Sequence, residues 1–94
     1  MASVAIRRSH HIACLQAFLK PVTDAGLFIF LVSNAPAGRW VVPPGAKEGR
    51  YSPNPLAVGI PTEGRPVLID ISMSSTALGP VLRAAQDGVR LPGP

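Results

Sequence analysis

The chain has 94 residues, of which 47% are hydrophobic and 15% charged, and its formal net charge is +4 at pH 7. This length allows one small domain, and the apolar share favours a folded chain over a disordered one. The basic residues are scattered rather than interleaved with aromatic side chains, which argues against a nucleic-acid-binding protein. The longest apolar run, residues 26–32, is too short to span a bilayer, which argues against a membrane protein.

The chain contains a single cysteine, Cys14. It excludes an internal disulfide and a cysteine-rich zinc module, and we expect it to be a small buried hydrophobic side chain. Because an unpaired cysteine suits a reducing compartment, the sequence predicts a cytoplasmic protein. The 11 prolines and 9 glycines divide the chain into short elements.

Two apolar stretches in the first third predict strands on either side of a helix. Residues 3–7 alternate in polarity and predict a short strand. Residues 27–32 are apolar on both faces and predict a central strand that is covered on two sides.

The segment between these strands has the apolar spacing of a helix. Apolar residues recur at helical intervals from Ile12 to Val22, and Ser9 is a suitable N-cap. Pro21 predicts a kink or a fresh start, because proline cannot donate a backbone hydrogen bond. Gly26 predicts the end of the helix.

Residues 35–52 carry repeated prolines and glycines and predict a long loop, which Trp40 anchors by packing. Two proline-bounded runs, 56–60 and 67–71, then predict buried strands. A helical pattern over residues 75–89 follows, with Pro80 in its first turns and Gly88 at its end. The resulting order of strands and helices predicts a mixed α/β fold.

His10 and His11 lie where the first strand meets the helix. Free N–H groups at a helix N-terminus attract anions, so the histidines there are candidates to hold a cofactor phosphate or ribose. The alternative is two surface histidines on a loop, which composition alone favours. A metal site formed with Cys14 lacks a third-ligand pattern.

Asp70 is a carboxylate inside an apolar run, so it requires hydrogen-bond donors. It is either an acceptor for a ligand ribose or amide, or a capping acid satisfied locally by residues 72–75. The chain has neither the G-x-S-x-G context of a nucleophilic serine nor the G-x-G-x-x-G turn of a Rossmann fold.

An ordered set of short segments extends over almost the whole chain, at residues 7–11, 24–27, 33–36, 44–46, 52–57, 60–61, 68–74 and 79. This set resembles the malate/L-lactate dehydrogenase-like family of NAD(P)-dependent oxidoreductases, which bind their cofactor without a Rossmann fold. The resemblance implies a mixed, mostly antiparallel twisted sheet with flanking helices, and a homodimer. It implies reduction of 2-oxo acids or related imines, or the reverse oxidation, with NAD or NADP.

The resemblance also implies two sets of site residues. Cofactor contacts fall at His10, His11, Ile12, Ala13, Cys14, Asp70, Ile71 and Ser72. Substrate contacts fall at Pro53, Leu78 and Gly79.

The sequence departs from the family pattern at several points. The family's proton-donating histidine lies in an earlier Ser-His-Gly segment, so neither His10 nor His11 inherits that role and no catalytic residue is assigned. Pro53 stands where the family has threonine, and Leu78 where it commonly has arginine or histidine, so the substrate contacts are altered.

These departures lead to a specific prediction about what the chain is. Residues 1–94 are predicted to be one partial domain, the central cofactor-binding region of a 2-hydroxy-acid dehydrogenase that has no turnover by itself. The alternative is a non-catalytic remnant or interaction module that docks on a full-length homologue through exposed apolar strands.

Overall fold

The structure is a computed structural model, and it describes residues 1–91. In chain order its elements are a 3₁₀ helix (Leu15–Phe18), α1 (Leu19–Asp24), β1 (Ile29–Val32), β2 (Leu56–Ile60), β3 (Val67–Ile71) and α2 (Leu78–Asp87). The strands form one antiparallel sheet in the order β1-β2-β3. The predicted mixed α/β class with an antiparallel sheet is therefore confirmed. The last three residues of the predicted domain, 92–94, lie outside the described residues.

The chain forms two compact units, and each unit is built from two separate stretches. Unit 1 comprises Met1–Leu31 and Leu56–Asp70, and it contains the 3₁₀ helix, α1 and most of the sheet. Unit 2 comprises Val32–Pro55 and the chain from Ile71 onward, and it contains the long loop and α2.

The core of unit 1 lies between the two N-terminal helices and one face of the sheet. Leu15, Leu19 and Ala57 are 2%, 0% and 0% exposed, and Ile29, Leu31 and Leu68 pack against them. Ala57 and Gly59 occupy every second position of β2 and therefore both lie on its inner face. Because neither has a large side chain, α1 can approach the sheet closely. Helix α1 is thus held by burial, since six residues are too few for an independently stable helix.

The first helical segment is shorter than predicted. Ser9 is not its N-cap, because regular structure begins only at Leu15 and the preceding residue, Cys14, is extended. Ala13 has a left-handed φ of 61°, which a right-handed helix does not accommodate. The predictions at the other end are confirmed: Pro21 lies in the first turn of α1, and Gly26 follows the helix with a φ of 72°.

Two strand predictions are wrong: one predicted strand does not form, and another lies at the edge of the sheet instead of its centre. Residues 3–7 are exposed and form no strand, because a strand requires a backbone partner and the described part of the chain pairs none with them. The predicted central strand is an edge strand, since β2 occupies the centre of the sheet. Strand β3 has the predicted bounds but is mostly exposed rather than buried.

Within unit 1, the 3₁₀ helix and α1 pack on one face of the sheet only, which leaves much of β3 exposed in that unit. Side chains alternate between the two faces along a strand, and the residues at the alternate positions are apolar as well. The other face of the sheet in unit 1 is therefore also apolar. We call this the outer face; it carries Phe30, Leu56, Val58, Ile60, Val67 and Ile69.

In unit 2 the predicted loop is confirmed, and the helix predicted over residues 75–89 forms over the shorter span Leu78–Asp87. Residues 35–52 contain no helix or strand, although Val41 and Tyr51 form an isolated antiparallel bridge. Helix α2 has Pro80 in its first turn and ends at Asp87, and the following Gly88 has a φ of 65°. No helix in residues 1–91 is long and apolar enough to cross a membrane.

Candidate functional site

Asp70 connects β3 to the segment that precedes the first helix. Its Oδ2 atom accepts a hydrogen bond from the backbone N–H of Gln16 at 2.9 Å, and the thiol of Cys14 donates to the same oxygen at 3.5 Å. Asp70 lies on the inner side of the sheet with Leu68, because side chains alternate along β3. It thereby satisfies one of the N–H groups that a helix N-terminus leaves without an intrahelical partner.

The local partners predicted for Asp70 are wrong. The side chains of Ser72 and Ser74 instead bond within their own segment: Ser72 Oγ donates to the Ser74 carbonyl at 3.2 Å, and Ser74 Oγ donates to the Thr76 carbonyl at 2.8 Å. The donors to Asp70 lie 54 and 56 residues away in sequence. The other carboxylate oxygen, Oδ1, has no hydrogen bond to the described residues, so it is available to a ligand donor.

The predicted cofactor segment, residues 10–14, is exposed and has no regular secondary structure. The backbone N–H of Ala13 donates to Nδ1 of His11 at 3.3 Å. The prediction that the histidines lie at a helix N-terminus is wrong, since the helix begins only after them, at Leu15. Cys14 is exposed rather than buried, because it precedes the helix instead of lying on its apolar face.

Unit 1 therefore brings together two of the predicted cofactor-contact segments, which meet at Asp70 and Cys14. Ile71 and Ser72 follow Asp70 in the chain and are both exposed. No group of three histidine, cysteine or acidic side chains in residues 1–91 is arranged to hold a metal ion.

The predicted substrate residue Pro53 lies in a hydrogen-bonded irregular segment of unit 2. Its carbonyl accepts the backbone N–H of Met73 at 2.8 Å. The buried Ser52 hydroxyl accepts the N–H of Ala35 at 3.3 Å and donates to Asn54 Oδ1 at 2.5 Å. Pro53 thus has no N–H to offer a substrate, and its carbonyl already accepts one hydrogen bond.

A cleft of about 720 Å³ lies within unit 2, between the loop and the start of α2. Its lining consists of Arg39, Trp40, Val41, Val42, Met73, Ser74, Ser75, Thr76, Leu78 and Val81. The predicted substrate residue Leu78 lies in this lining, whereas Gly79 lies along a smaller depression of about 370 Å³ with Pro80 and Arg83. The two residues that the sequence assigned to one substrate contact therefore line two different cavities.

Sequence reasoning missed the loop side of this cleft. The prediction that Trp40 packs within the loop is confirmed, since the six-membered ring of its indole lies against the buried Gly38. Trp40 is nevertheless 54% exposed and forms a wall of the cleft beside Arg39. The sequence did offer one indication of this site: an arginine directly followed by the chain's sole tryptophan, within a proline-rich loop.

Comparison with known proteins places this architecture in a family. The model of the malate/L-lactate dehydrogenase family matches residues 1–94, which is the whole chain. The chain belongs to the malate/L-lactate dehydrogenase family. It is also similar to a solved E. coli protein proposed to be a malate/lactate dehydrogenase, with a TM-score of 0.62 and 28% identity, over 88% of this chain and 24% of that one.

Curated relatives are similar along nearly the entire chain. A Delta(1)-pyrroline-2-carboxylate/Delta(1)-piperideine-2-carboxylate reductase of Pseudomonas syringae pv. tomato is 38% identical over 98% of this chain and 26% of its own length. A (2R)-3-sulfolactate dehydrogenase (NADP(+)) of Chromohalobacter salexigens is 36% identical over 98% of this chain and 27% of its own length. The chain thus spans about a quarter of the length of these curated relatives.

The role of Asp70 in this family member is testable by mutation. We expect Asp70→Ala to lower the free energy of unfolding by about 1 kcal/mol, because the Gln16 N–H loses its acceptor. Urea unfolding followed by circular dichroism measures the change. Asp87→Ala is the matched control, since Asp87 ends α2, where a negative charge is not stabilising. Equal stability of the Asp70→Ala and Asp87→Ala proteins would contradict the anchoring role.

Proposed function

We propose that the chain is the cofactor-binding part of an NAD(P)-dependent oxidoreductase that acts on small 2-oxo or 2-hydroxy acids or the related cyclic imino acids. The observation that carries this proposal is the contact between Asp70 and the segment that contains Cys14 and Gln16. Two stretches with an implied cofactor role, far apart in sequence, meet at this carboxylate. Its free oxygen is suited to accept a hydrogen bond from a ribose hydroxyl or an amide.

The relatives support this substrate class through a shared chemical feature. In the names of the pyrroline-2-carboxylate reductase and the sulfolactate dehydrogenase, the reacting carbon bears nitrogen or oxygen and is directly attached to a carboxylate. The nicotinamide, when bound, exchanges a hydride with such a carbon. The residues of this chain would hold the cofactor and the acid group in place.

We further propose that the 94-residue chain binds cofactor without turnover. Exchange of the hydroxyl or imine proton requires a group with a pKa near neutrality, and the unit 2 cleft is lined by arginine, tryptophan, hydroxyls and apolar side chains. Neither His10 nor His11 is proposed as the proton donor. The compartment we propose is the cytoplasm, which the unpaired Cys14 supports.

A thermal melt with saturating NADH or NADPH tests cofactor binding. We expect one nucleotide to raise the melting temperature, because a ligand at about 100 times its Kd stabilises the native state by about 2.7 kcal/mol. ATP is the matched control, since it carries adenine, ribose and phosphates without nicotinamide. We expect Asp70→Asn to reduce the nucleotide-induced shift, measured against its own unliganded melt.

A melt indifferent to both nucleotides would contradict the cofactor role. It would favour the second candidate, a non-catalytic module that docks on a full-length homologue. The apolar outer face favours that candidate, since Phe30 is 54% exposed and Val67 is 46% exposed. The same surface supports our proposal that the oxidoreductase is a homodimer.

A further inference from the structure

We propose that the unit 2 cleft is a carboxylate-binding site, in which the guanidinium of Arg39 binds the carboxylate and the indole of Trp40 packs against the apolar body of the ligand. The site deepens the proposed function, and its assignment to the substrate acid rests on that function. The ligand class is a small organic acid with a compact apolar body, such as a five- or six-membered ring.

The charge of the cleft favours an anion. Arg39 is the only charged side chain in the lining, and the lining contains no acidic residue. The ion pairs in the described part of the chain, Lys20–Asp24 and Arg50–Glu48, do not involve Arg39. A guanidinium presents paired donors that match the two oxygens of a carboxylate, so an unneutralised arginine in a cleft is suited to this group.

The backbone that carries Arg39 and Trp40 is held in place by a short ladder. The N–H groups of Trp40 and Val41 both donate to the Tyr51 carbonyl at 2.9 Å, and the Arg50 N–H donates to the Val41 carbonyl at 2.9 Å. The indole is further constrained by Gly38, since a Cβ there would lie 2.6 Å from two atoms of the ring. A fixed aromatic wall lowers the entropic cost of binding.

The opposite side of the cleft combines hydroxyl groups with apolar side chains. Ser74, Ser75 and Thr76 precede α2, while Leu78 and Val81 supply an apolar surface. Leu78 contributes no charge, so recognition of an anion depends on Arg39. The volume of about 720 Å³ is within the range of small-molecule sites, and a few polar groups among apolar walls are their usual composition.

Trp40 provides a direct readout because it is the only tryptophan in the chain. We would titrate the full chain with cyclohexanecarboxylate, which pairs one carboxylate with an apolar ring, and record tryptophan fluorescence at constant ionic strength. The matched neutral probe is cyclohexanecarboxamide, which has the same ring and no charge. We expect a saturable change with the carboxylate and at least about tenfold weaker binding of the carboxamide.

Three variants, two of which remove a positive charge, test whether carboxylate binding depends on Arg39. We expect Arg39→Gln to weaken binding of cyclohexanecarboxylate by about tenfold or more, and Arg39→Lys to weaken it less, because lysine keeps the charge without the paired donors. Arg65→Gln removes the same charge from the turn between β2 and β3, in unit 1, and is expected to leave the titration unchanged.

Equal responses to the carboxylate and the carboxamide, or no saturable response, would overturn the proposed site. So would equal losses in the Arg39→Gln and Arg65→Gln proteins. Because these titrations contain no nucleotide, they are independent of the cofactor test. Carboxylate binding through Arg39 without any response to NADH or NADPH would leave the site standing and contradict the oxidoreductase function.

Discussion

Leu19→Ala is expected to lower the free energy of unfolding by about 2–5 kcal/mol, the range for a buried leucine whose cavity is not refilled. Leu19 is 0% exposed and lies in the small core of unit 1 with Leu15 and Ala57. Natural domains have total stabilities of about 5–15 kcal/mol, so this loss is a large share. In a chain of this size it corresponds to a fall in melting temperature of about 10 °C or more, measurable by calorimetry or circular dichroism.

Phe18→Ala is the matched control, because Phe18 is the preceding residue and is 48% exposed. Alanine is favourable in a helix at both positions, so helix propensity does not account for a difference between the two variants. We expect the Phe18→Ala protein to melt within a few degrees of the wild-type chain. If the two variants lost the same stability, Leu19 would not be the centre of the core.

Gly59→Ala is expected to destabilise the chain by about 1–3 kcal/mol through overpacking. A Cβ atom at position 59 would lie 2.8 Å from the Cγ2 methyl groups of Ile29 and Thr23, and 3.3 Å from Leu19 Cβ. Both methyl groups belong to β-branched side chains, which have little rotamer freedom to move aside. Helix α1 must therefore shift away from the sheet or the methyl groups must clash.

Gly64→Ala is the corresponding control, because no atom lies within 4 Å of a Cβ built at that position. Urea unfolding of the two variants side by side separates the close approach at Gly59 from the general loss of a glycine. We expect the Gly64→Ala protein to keep wild-type stability or gain slightly. A Gly59→Ala protein as stable as the Gly64→Ala protein would show that α1 does not pack tightly on β2.

The elements that could be predicted from the sequence are those whose ends are marked by proline or glycine. Strands β2 and β3 match their predicted bounds because prolines at 55, 61 and 66 delimit two apolar runs. The end of α2 was predictable because only glycine readily adopts the left-handed conformation at position 88.

The incorrect predictions concern partners that no local pattern specifies. Residues 27–32 are apolar on both faces, yet β1 is an edge strand with one face exposed, since sequence period does not encode which surfaces are covered. The late start of the first helix follows from the left-handed conformation of Ala13. That conformation is uncommon for alanine, so the sequence does not predict it.

The candidate site shows the same division. A carboxylate within an apolar run predicted that Asp70 needs donors, but not that Gln16 and Cys14 supply them from more than 50 residues away. The cleft of unit 2 was missed because it joins a loop to the residues before α2, and only the folded chain brings Arg39 close to Leu78.

The interleaving of the two units determines the order in which the polypeptide can fold during synthesis. Leu15 and Leu19 leave the ribosome before Ala57 and Gly59, against which they pack, because all of Val32–Pro55 is synthesised in between. The 3₁₀ helix and α1 therefore lack their burial partner until β2 emerges, and a short helix without such a partner is unstable. Neither unit can be excised as one continuous peptide.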